Sequence, residues 1–265
     1  MRVALCFSGM VRTLMLTLPS IQEFLLEPFS PDVFVHTWDR MGLKESADRP
    51  VTSQWLNSML PVTSCAIKTS SEYDKKFARE RDLLYTVPGP ILPTGAKPEE
   101  WMKLKNVLTQ LWHVHQCDLL RREHERKHDF TYDIVIRARM DNLFTVPLAP
   151  LGQHRFTEYP TDAVFVPEHG GFGGYCDQFA IGSSVAMERY CDYYPNFESM
   201  WRSRPLLKDA YGLPERFLKR YLTNVANLKV YRFTFPFELQ RESEVVRQSR
   251  FTDDWYGLNK QGLPA

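Results

Sequence analysis

The stretch Tyr132-Asp133-Ile134-Val135-Ile136-Arg137-Ala138-Arg139-Met140-Asp141 constrains this chain more than any other. Ile134, Val135 and Ile136 are consecutive, apolar and β-branched, so a strand made of them offers a hydrophobic side chain to both faces of its sheet. Such a strand must be covered on both sides, which calls for a mainly parallel sheet between helical layers. The run then turns charged. Arg137, Arg139 and Asp141 follow at a spacing of two, and in extended backbone all three project to one side. Two guanidiniums and a carboxylate leaving the end of a buried strand are costly unless they meet a ligand or each other. In open α/β sheets that end of the strands is where ligands bind. An arginine pair suits phosphate, and a carboxylate beside it suits a divalent metal or a sugar hydroxyl.

The rest of the chain alternates in the same manner. Val3 to Phe7 reads as a buried strand ending in Ser8-Gly9, and Leu14 to Phe29 as a helix with Pro19 near its start. Asp32 to Val35 reads as a second strand, closing with His36-Thr37-Trp38-Asp39, and Gln54 to Leu60 as a short helix. Thr86 to Pro98 carries four prolines and two glycines and reads as a loop or flap. Pro98-Glu99-Glu100 opens a helix, with Leu104, Leu108, Leu111, His115 and Leu119 on one face and a charged end from Arg121 to His128. Further strands are expected at Ala163 to Val166, Phe179 to Ile181 and Lys229 to Phe235, and helices at Ser183 to Tyr194 and Pro214 to Leu222. This order predicts an α/β fold. With no clear linker, residues 1–265 are expected to form a single domain.

A net charge of +1 supplies no global field for nucleic acid, so any basic site must be local. The five cysteines (Cys6, Cys65, Cys117, Cys176 and Cys191) are odd in number, scattered and free of any CxxC. They point neither to a disulfide framework nor to a cysteine zinc site, and a reducing compartment is the simplest setting. No signal peptide is expected, and no run approaches the roughly 18 apolar residues of a membrane span. The expected protein is cytoplasmic, either soluble or peripheral to a membrane.

Several constellations offer chemistry. Ser8-Gly9-Met10-Val11-Arg12 follows the first strand, where a small turn lets backbone N–H groups approach a phosphate and Arg12 can pair with one; the alternative is a plain strand-to-helix turn. His36-Thr37-Trp38-Asp39 follows the second strand, where an aromatic ring and a carboxylate can stack a base or bind a ribose; the alternative is a turn with a core tryptophan. Gly170-Gly171-Phe172-Gly173-Gly174-Tyr175 is a glycine-rich loop that reads as a mobile cover with two stacking rings. Asp177, at its junction with the next strand, is a candidate base or acceptor ligand, its alternative being a capping aspartate. Glu215, in a helix's first turn, complements the helix dipole or serves the acceptor. Asp253-Asp254-Trp255-Tyr256 reads as a closing segment or a tail. His124-Glu125-Arg126-Lys127-His128 matches the H-E-x-x-H pattern of zinc metalloproteases. Its cationic neighbours and the lack of a nearby third ligand favour a solvated helix end instead.

Taken in order, Arg2 to Arg12, Asp32 to Trp38, Tyr132 to Asp141, Asp177 to Ser183 and Pro214-Glu215 resemble small nucleotide-sugar glycosyltransferases. Members of that group serve bacterial surface-polysaccharide synthesis, and large DNA viruses encode relatives, whose products act in host cytoplasm. The resemblance implies a GT-A, Rossmann-like fold, with residues 1–145 binding the nucleotide-sugar and 146–265 facing the acceptor. It implies transfer of a sugar from a nucleotide-diphosphate donor, UDP being the first choice, to a hydroxyl of a glycan. It also implies a divalent cation, manganese before magnesium, held by an Asp-x-Asp motif. Here that segment is Arg139-Met140-Asp141, so only Asp141 is left to hold metal and Arg139 can itself neutralise the diphosphate. Ser8, Gly9, Arg12, Thr37, Trp38, Arg137 and Arg139 are then the donor-side residues, and Asp177 and Glu215 the catalytic pair. A module that binds nucleotide or carbohydrate without turnover is the rival reading.

Overall fold

The computed structural model describes residues 1–42, 49–69, 73–80, 98–148, 156, 158–203 and 214–240, with the backbone alone at 73–74 and 98–105. The segment 86–97 and the aromatic-acidic stretch 253–256 lie outside the described residues. The strands β1 (Val3–Ser8), β2 (Asp32–Trp38), β3 (Val62–Lys68), β4 (Ile134–Ala138), β6 (Ala163–Pro167), β7 (Phe179–Gly182) and β8 (Lys229–Phe233) form one seven-stranded sheet. Its order is β3-β2-β1-β4-β7-β6-β8. A smaller antiparallel pair joins β5 (Asn142–Phe144) to β9 (Phe237–Leu239). The fold is α/β with a mainly parallel sheet flanked by helices, as the apolar runs predict. Every residue of β1 and of β4 is buried. Their side chains alternate between two cores: Ala4, Cys6 and Val135 enter one, while Val3, Leu5, Phe7, Ile134 and Ile136 enter the other.

The first core is covered by the long helix α5 (Pro98–His128), with α6 (Ser184–Cys191), α7 (Tyr193–Arg202) and α8 (Pro214–Asn224) around it. The second is covered by α1 (Leu14–Ile21), which continues through a π-helical turn (Gln22–Leu26) into α2 (Glu27–Phe29), and by α3 (Ser53–Met59). A single turn, α4 (Tyr73–Lys76), precedes α5. Pro19 lies inside α1 rather than at its start, and the π turn follows it directly. A proline cannot donate to the helical ladder, and the widened turn absorbs that interruption. α3 and α6 begin at side-chain caps: Thr52 accepts the Trp55 N–H and Ser183 the Ala186 N–H, each at 3.1 Å.

One strand departs from parallel, and its reason is local. β6 connects to β7 through the glycine-rich loop with no helix between them. A short connection cannot make the crossover that parallel pairing needs, so β7 returns antiparallel to both β6 and β4. The start of β7, with Asp177 just before it, thereby reaches the sheet edge where β4 ends.

Other local readings need correcting. β2 continues through Trp38, so His36, Thr37 and Trp38 belong to the strand rather than to a turn after it. β3 has no counterpart in the apolar pattern, because its mixed sequence Val-Thr-Ser-Cys-Ala-Ile-Lys suits a half-exposed sheet edge. On α5, Leu119 faces solvent, and the charged end is not simply solvated. Asp118 and Arg121 are fully buried and pair at 2.7 Å. Arg121 also reaches Glu125 and the Ser184 hydroxyl at 2.6 Å each, so its charge is balanced inside the protein. All five cysteines are free thiols. No helix among the described residues is long and apolar enough to cross a membrane.

Candidate active site

The carboxyl ends of β1, β2 and β4 and the start of β7 share one edge. Gly9 follows β1 in a left-handed conformation (φ 104°), and its N–H donates to the His36 carbonyl at 3.1 Å. The donor expected to face a phosphate is thus taken by the neighbouring strand. The Ser8 hydroxyl is buried and has no hydrogen-bond partner among the described residues. Arg12 is also left-handed (φ 48°), a conformation a non-glycine residue adopts only when its surroundings hold it there. Its N–H donates to the Met41 carbonyl at 2.6 Å, and its guanidinium swings to Asp141, with Nη1 to Oδ2 at 2.6 Å.

Asp141 is 1% exposed and is gripped a second time by Arg139, with Nε to Oδ1 and Nη2 to Oδ2 both at 2.8 Å. This fork is not produced by strand alternation. β4 ends at Ala138, and residues 139–142 form a turn closed by the Asn142 N–H on the Arg139 carbonyl at 3.3 Å. The turn brings the two side chains together. It is anchored from both sides: Thr17 donates from Oγ to the Met140 carbonyl at 2.5 Å, and the Gln240 N–H donates to the Asp141 carbonyl at 2.8 Å.

Arg137 takes a different path. It is 1% exposed, and its Nη1 donates to the main-chain carbonyl of Asp177, while Nε and Nη2 have no hydrogen-bond partner among the described residues. It therefore sits behind the edge rather than beside Arg139 and Asp141 on it, because it is the last arginine still within the strand. The Asp177 carboxylate accepts from Gln110 Nε2 at 2.6 Å. Burial works against the charge of Arg139, and Asp141, then Asp177, more than offset it, so its pKa lies above the ordinary value. The pairing of Ala138 with Phe179 sets the end of β4, just before the Arg12–Asp141–Arg139 cluster, beside the start of β7, just after Asp177. Glu215 is buried in the first turn of α8, and its Oε2 has no hydrogen-bond partner among the described residues. Burial, reinforced by the charge of Asp177, pushes its carboxyl up to about 7. A cavity of about 20 Å³ lies beside Asp177, lined also by Gln110, Tyr190, Tyr193, Pro214 and Leu218; it has room for about one water.

The glycine-rich loop is tied down. The Tyr175 N–H donates to the Glu215 carbonyl at 3.0 Å, Arg216 Nε to the Phe172 carbonyl at 3.1 Å, and Arg232 Nη2 to the Gly174 carbonyl at 2.6 Å. A Cβ on Gly174 would overlap the Glu215 carbonyl, so the glycine serves close packing of the loop on α8. Tyr175 already has Arg232 over its ring at 5.4 Å, while Phe172 is 65% exposed. Of the two expected stacking rings, Phe172 is the one open to solvent.

Residues 100–244 match the family described as Domain of unknown function (DUF7796), a span of more than half the chain. The chain belongs to that family. No curated protein matches the sequence. The fold is similar to the crystal structure of mouse xyloside xylosyltransferase 1 in its apo form, at 10% identity and a TM-score of 0.46, over 88% of this chain and 84% of that one. The part of the chain that defines the DUF7796 match contains Gln110, Arg137, Arg139, Asp141, Asp177 and Glu215. Arg12 comes from outside it and completes the cluster.

Thr37 and Trp38, expected on the donor side, are the last two residues of β2. Both are buried, and Trp38 packs its ring against Trp112 and His113, with centroids 5.4 and 4.7 Å apart. Below it His36 and His113 meet at 2.6 Å between Nδ1 atoms. The Trp38 side chain turns toward α5 and fills core, while Thr37, alternating with it along the strand, faces the other side of the sheet. The zinc reading fails on geometry. Glu125 is committed to the Tyr132 N–H and to Arg121, and His124 packs its ring against Phe34 and Phe130. Among the described residues no three His, Cys, Asp or Glu side chains are grouped to hold a metal. Asp141 alone does not fit a divalent cation either, since both its oxygens are already bonded to guanidiniums, which repel a cation. Gln110 was not among the sequence candidates. Its helical position lies off the face of Leu104, Leu108 and Leu111, so the apolar spacing does not single it out.

Proposed function

We propose that this DUF7796 member is a glycosyltransferase that moves a sugar from a nucleoside-diphosphate donor, UDP the first choice, to a hydroxyl of a glycan acceptor. The observation that carries the reading is the meeting, along one strand edge, of an arginine–carboxylate cluster (Arg12, Asp141, Arg139) with a buried carboxyl pair (Asp177, Glu215). Glycosyl transfer needs these two kinds of group together. The departing diphosphate gains negative charge as the glycosidic bond to the donor breaks, and fixed guanidiniums nearby stabilise it. The acceptor hydroxyl must be oriented and, for inversion, deprotonated. Asp177, held at its carbonyl by Arg137 and at its carboxylate by Gln110, has the fixed geometry a base requires. Glu215 keeps its proton until about pH 7, so it can donate a hydrogen bond to a sugar oxygen while Asp177 accepts one.

In this reading residues 1–145 receive the donor and 146–265 the acceptor, the fold is of the GT-A kind, the chain works as one domain, and the setting is cytoplasmic. A manganese ion at Asp141 would require both arginines to let go first. The test is nucleotide release from a panel of UDP-, GDP- and CMP-sugars with mixed glycan acceptors. Release by the wild type, lost in D177N with donor affinity kept, supports the assignment. No release from any donor by folded protein removes it. One observation favours the binding-module alternative: Asp141 is already neutralised by its own arginines. That alternative predicts nucleotide binding with no turnover.

A further inference from the structure

We infer that the Arg12–Asp141–Arg139 cluster binds a diphosphate directly, without a divalent cation, and that Asp141 is the tether that aims the two guanidiniums rather than a metal ligand. This rests on the glycosyltransferase reading for the identity of the whole ligand, but not for the chemistry of the anion.

Asp141 uses both oxygens on arginine, at 2.6, 2.8 and 2.8 Å. A cation approaching it would have to displace charge-assisted hydrogen bonds and then sit beside the two guanidiniums it had freed. The cluster carries one net positive charge, from two arginines and one carboxylate, so it favours an anion. It also retains donors. A guanidinium has five N–H groups, and the bonds to Asp141 engage one nitrogen of Arg12 and two of Arg139. Both side chains keep a path to solvent, at 27% and 14% exposure, whereas Asp141 has almost none. The fork is also preorganised. The left-handed backbone of Arg12 and the anchored 139–142 turn fix where the guanidiniums point before any ligand arrives, which lowers the ordering cost of binding. Two planar forks on one carboxylate match the paired oxygens of a diphosphate better than a single phosphate.

The probe is inorganic pyrophosphate, titrated calorimetrically into the purified full chain in EDTA and again with manganese. The expected result is saturable binding in EDTA that manganese does not strengthen. Arg139→Asp places a second carboxylate two residues before Asp141 and reverses the charge of the cluster; it is expected to lose at least tenfold in EDTA and to recover when manganese is added. Circular dichroism checks its fold. Should R139D not fold, R139Q removes the charge more gently and is expected to weaken pyrophosphate about tenfold or more. Binding that requires manganese in the wild type, absence of binding in both conditions, or unchanged affinity in R139Q each overturns the inference. The two readings fail separately. Metal-free pyrophosphate binding with no transfer from any donor removes the glycosyltransferase assignment alone, and transfer that strictly requires manganese removes this inference alone.

Discussion

Gln110 donates from Nε2 to Oδ2 of Asp177 at 2.6 Å, joining residues 67 apart in the chain. The bond ties the middle of α5 to the start of β7 and fixes the carboxylate that serves as the base in the proposed mechanism. A hydrogen bond to a charged group contributes roughly 1.5–3 kcal/mol. Q110L is therefore expected to lower turnover by about 10- to 100-fold, with the larger effect on kcat and little change in donor KM. Steady-state nucleotide release checks this. An unchanged kcat per folded molecule, with only a lower unfolding temperature, would mean Gln110 is structural.

Gly174 and Gly9 should respond differently to alanine. At Gly174 the new Cβ overlaps backbone of the first turn of α8, which cannot move without shifting the loop. At Gly9 nothing lies within 4 Å, and only the left-handed φ of 104° resists. G174A is expected to cost about 3 kcal/mol or more and G9A about 1–2 kcal/mol, measured by urea unfolding. Equal costs would refute the close packing of the glycine loop on Glu215.

Two buried groups give stability opposite pH slopes. Glu215 binds its proton more tightly folded than unfolded, with a pKa moved from 4.5 to about 7 by burial and Asp177, so it subtracts stability as pH rises across that window. His36 is pushed down to about 3 by burial and then Lys68, so stability is lost as pH falls from 6.5 toward 3. The stability of E215Q relative to wild type should therefore grow from pH 4.5 to 7 and then level off. Thermal unfolding across that range decides it, and a constant difference would show that Glu215 titrates normally.

The ion pairs should divide by burial. Asp118 is fully buried between Arg121 and Arg122, at 2.7 and 2.5 Å. Removing it leaves buried cations short of a partner, so D118A is expected to cost about 3–5 kcal/mol. Arg79 pairs with Glu198 at 2.6 Å but is 81% exposed, and R79A should cost under about 1 kcal/mol. Chemical denaturation of the two variants checks the contrast. Similar values would mean that the Asp118 network is hydrated.

Much of this was legible in residue order. Ile134 to Ile136 announced an interior strand because three successive apolar side chains need cover on both faces. Pro98-Glu99-Glu100 marked the start of α5, and the polar residues after β1 and β4 marked the edge where the candidate site lies. The pattern could not show which polar groups meet. Arg137 and Arg139 look alike at a spacing of two, yet one holds a backbone carbonyl of Asp177 from inside the sheet while the other forks onto Asp141 at its edge. Trp38 looked like a site residue because it ends a strand, and α5 claimed it for the core. Local sequence determined the elements, since periodicity and turn chemistry act over a few residues. Tertiary structure decided the pairings, since Arg12 finds Asp141 at a separation of 129 residues and Arg137 finds Asp177 at 40, distances over which only the packing of the sheet sets who is adjacent.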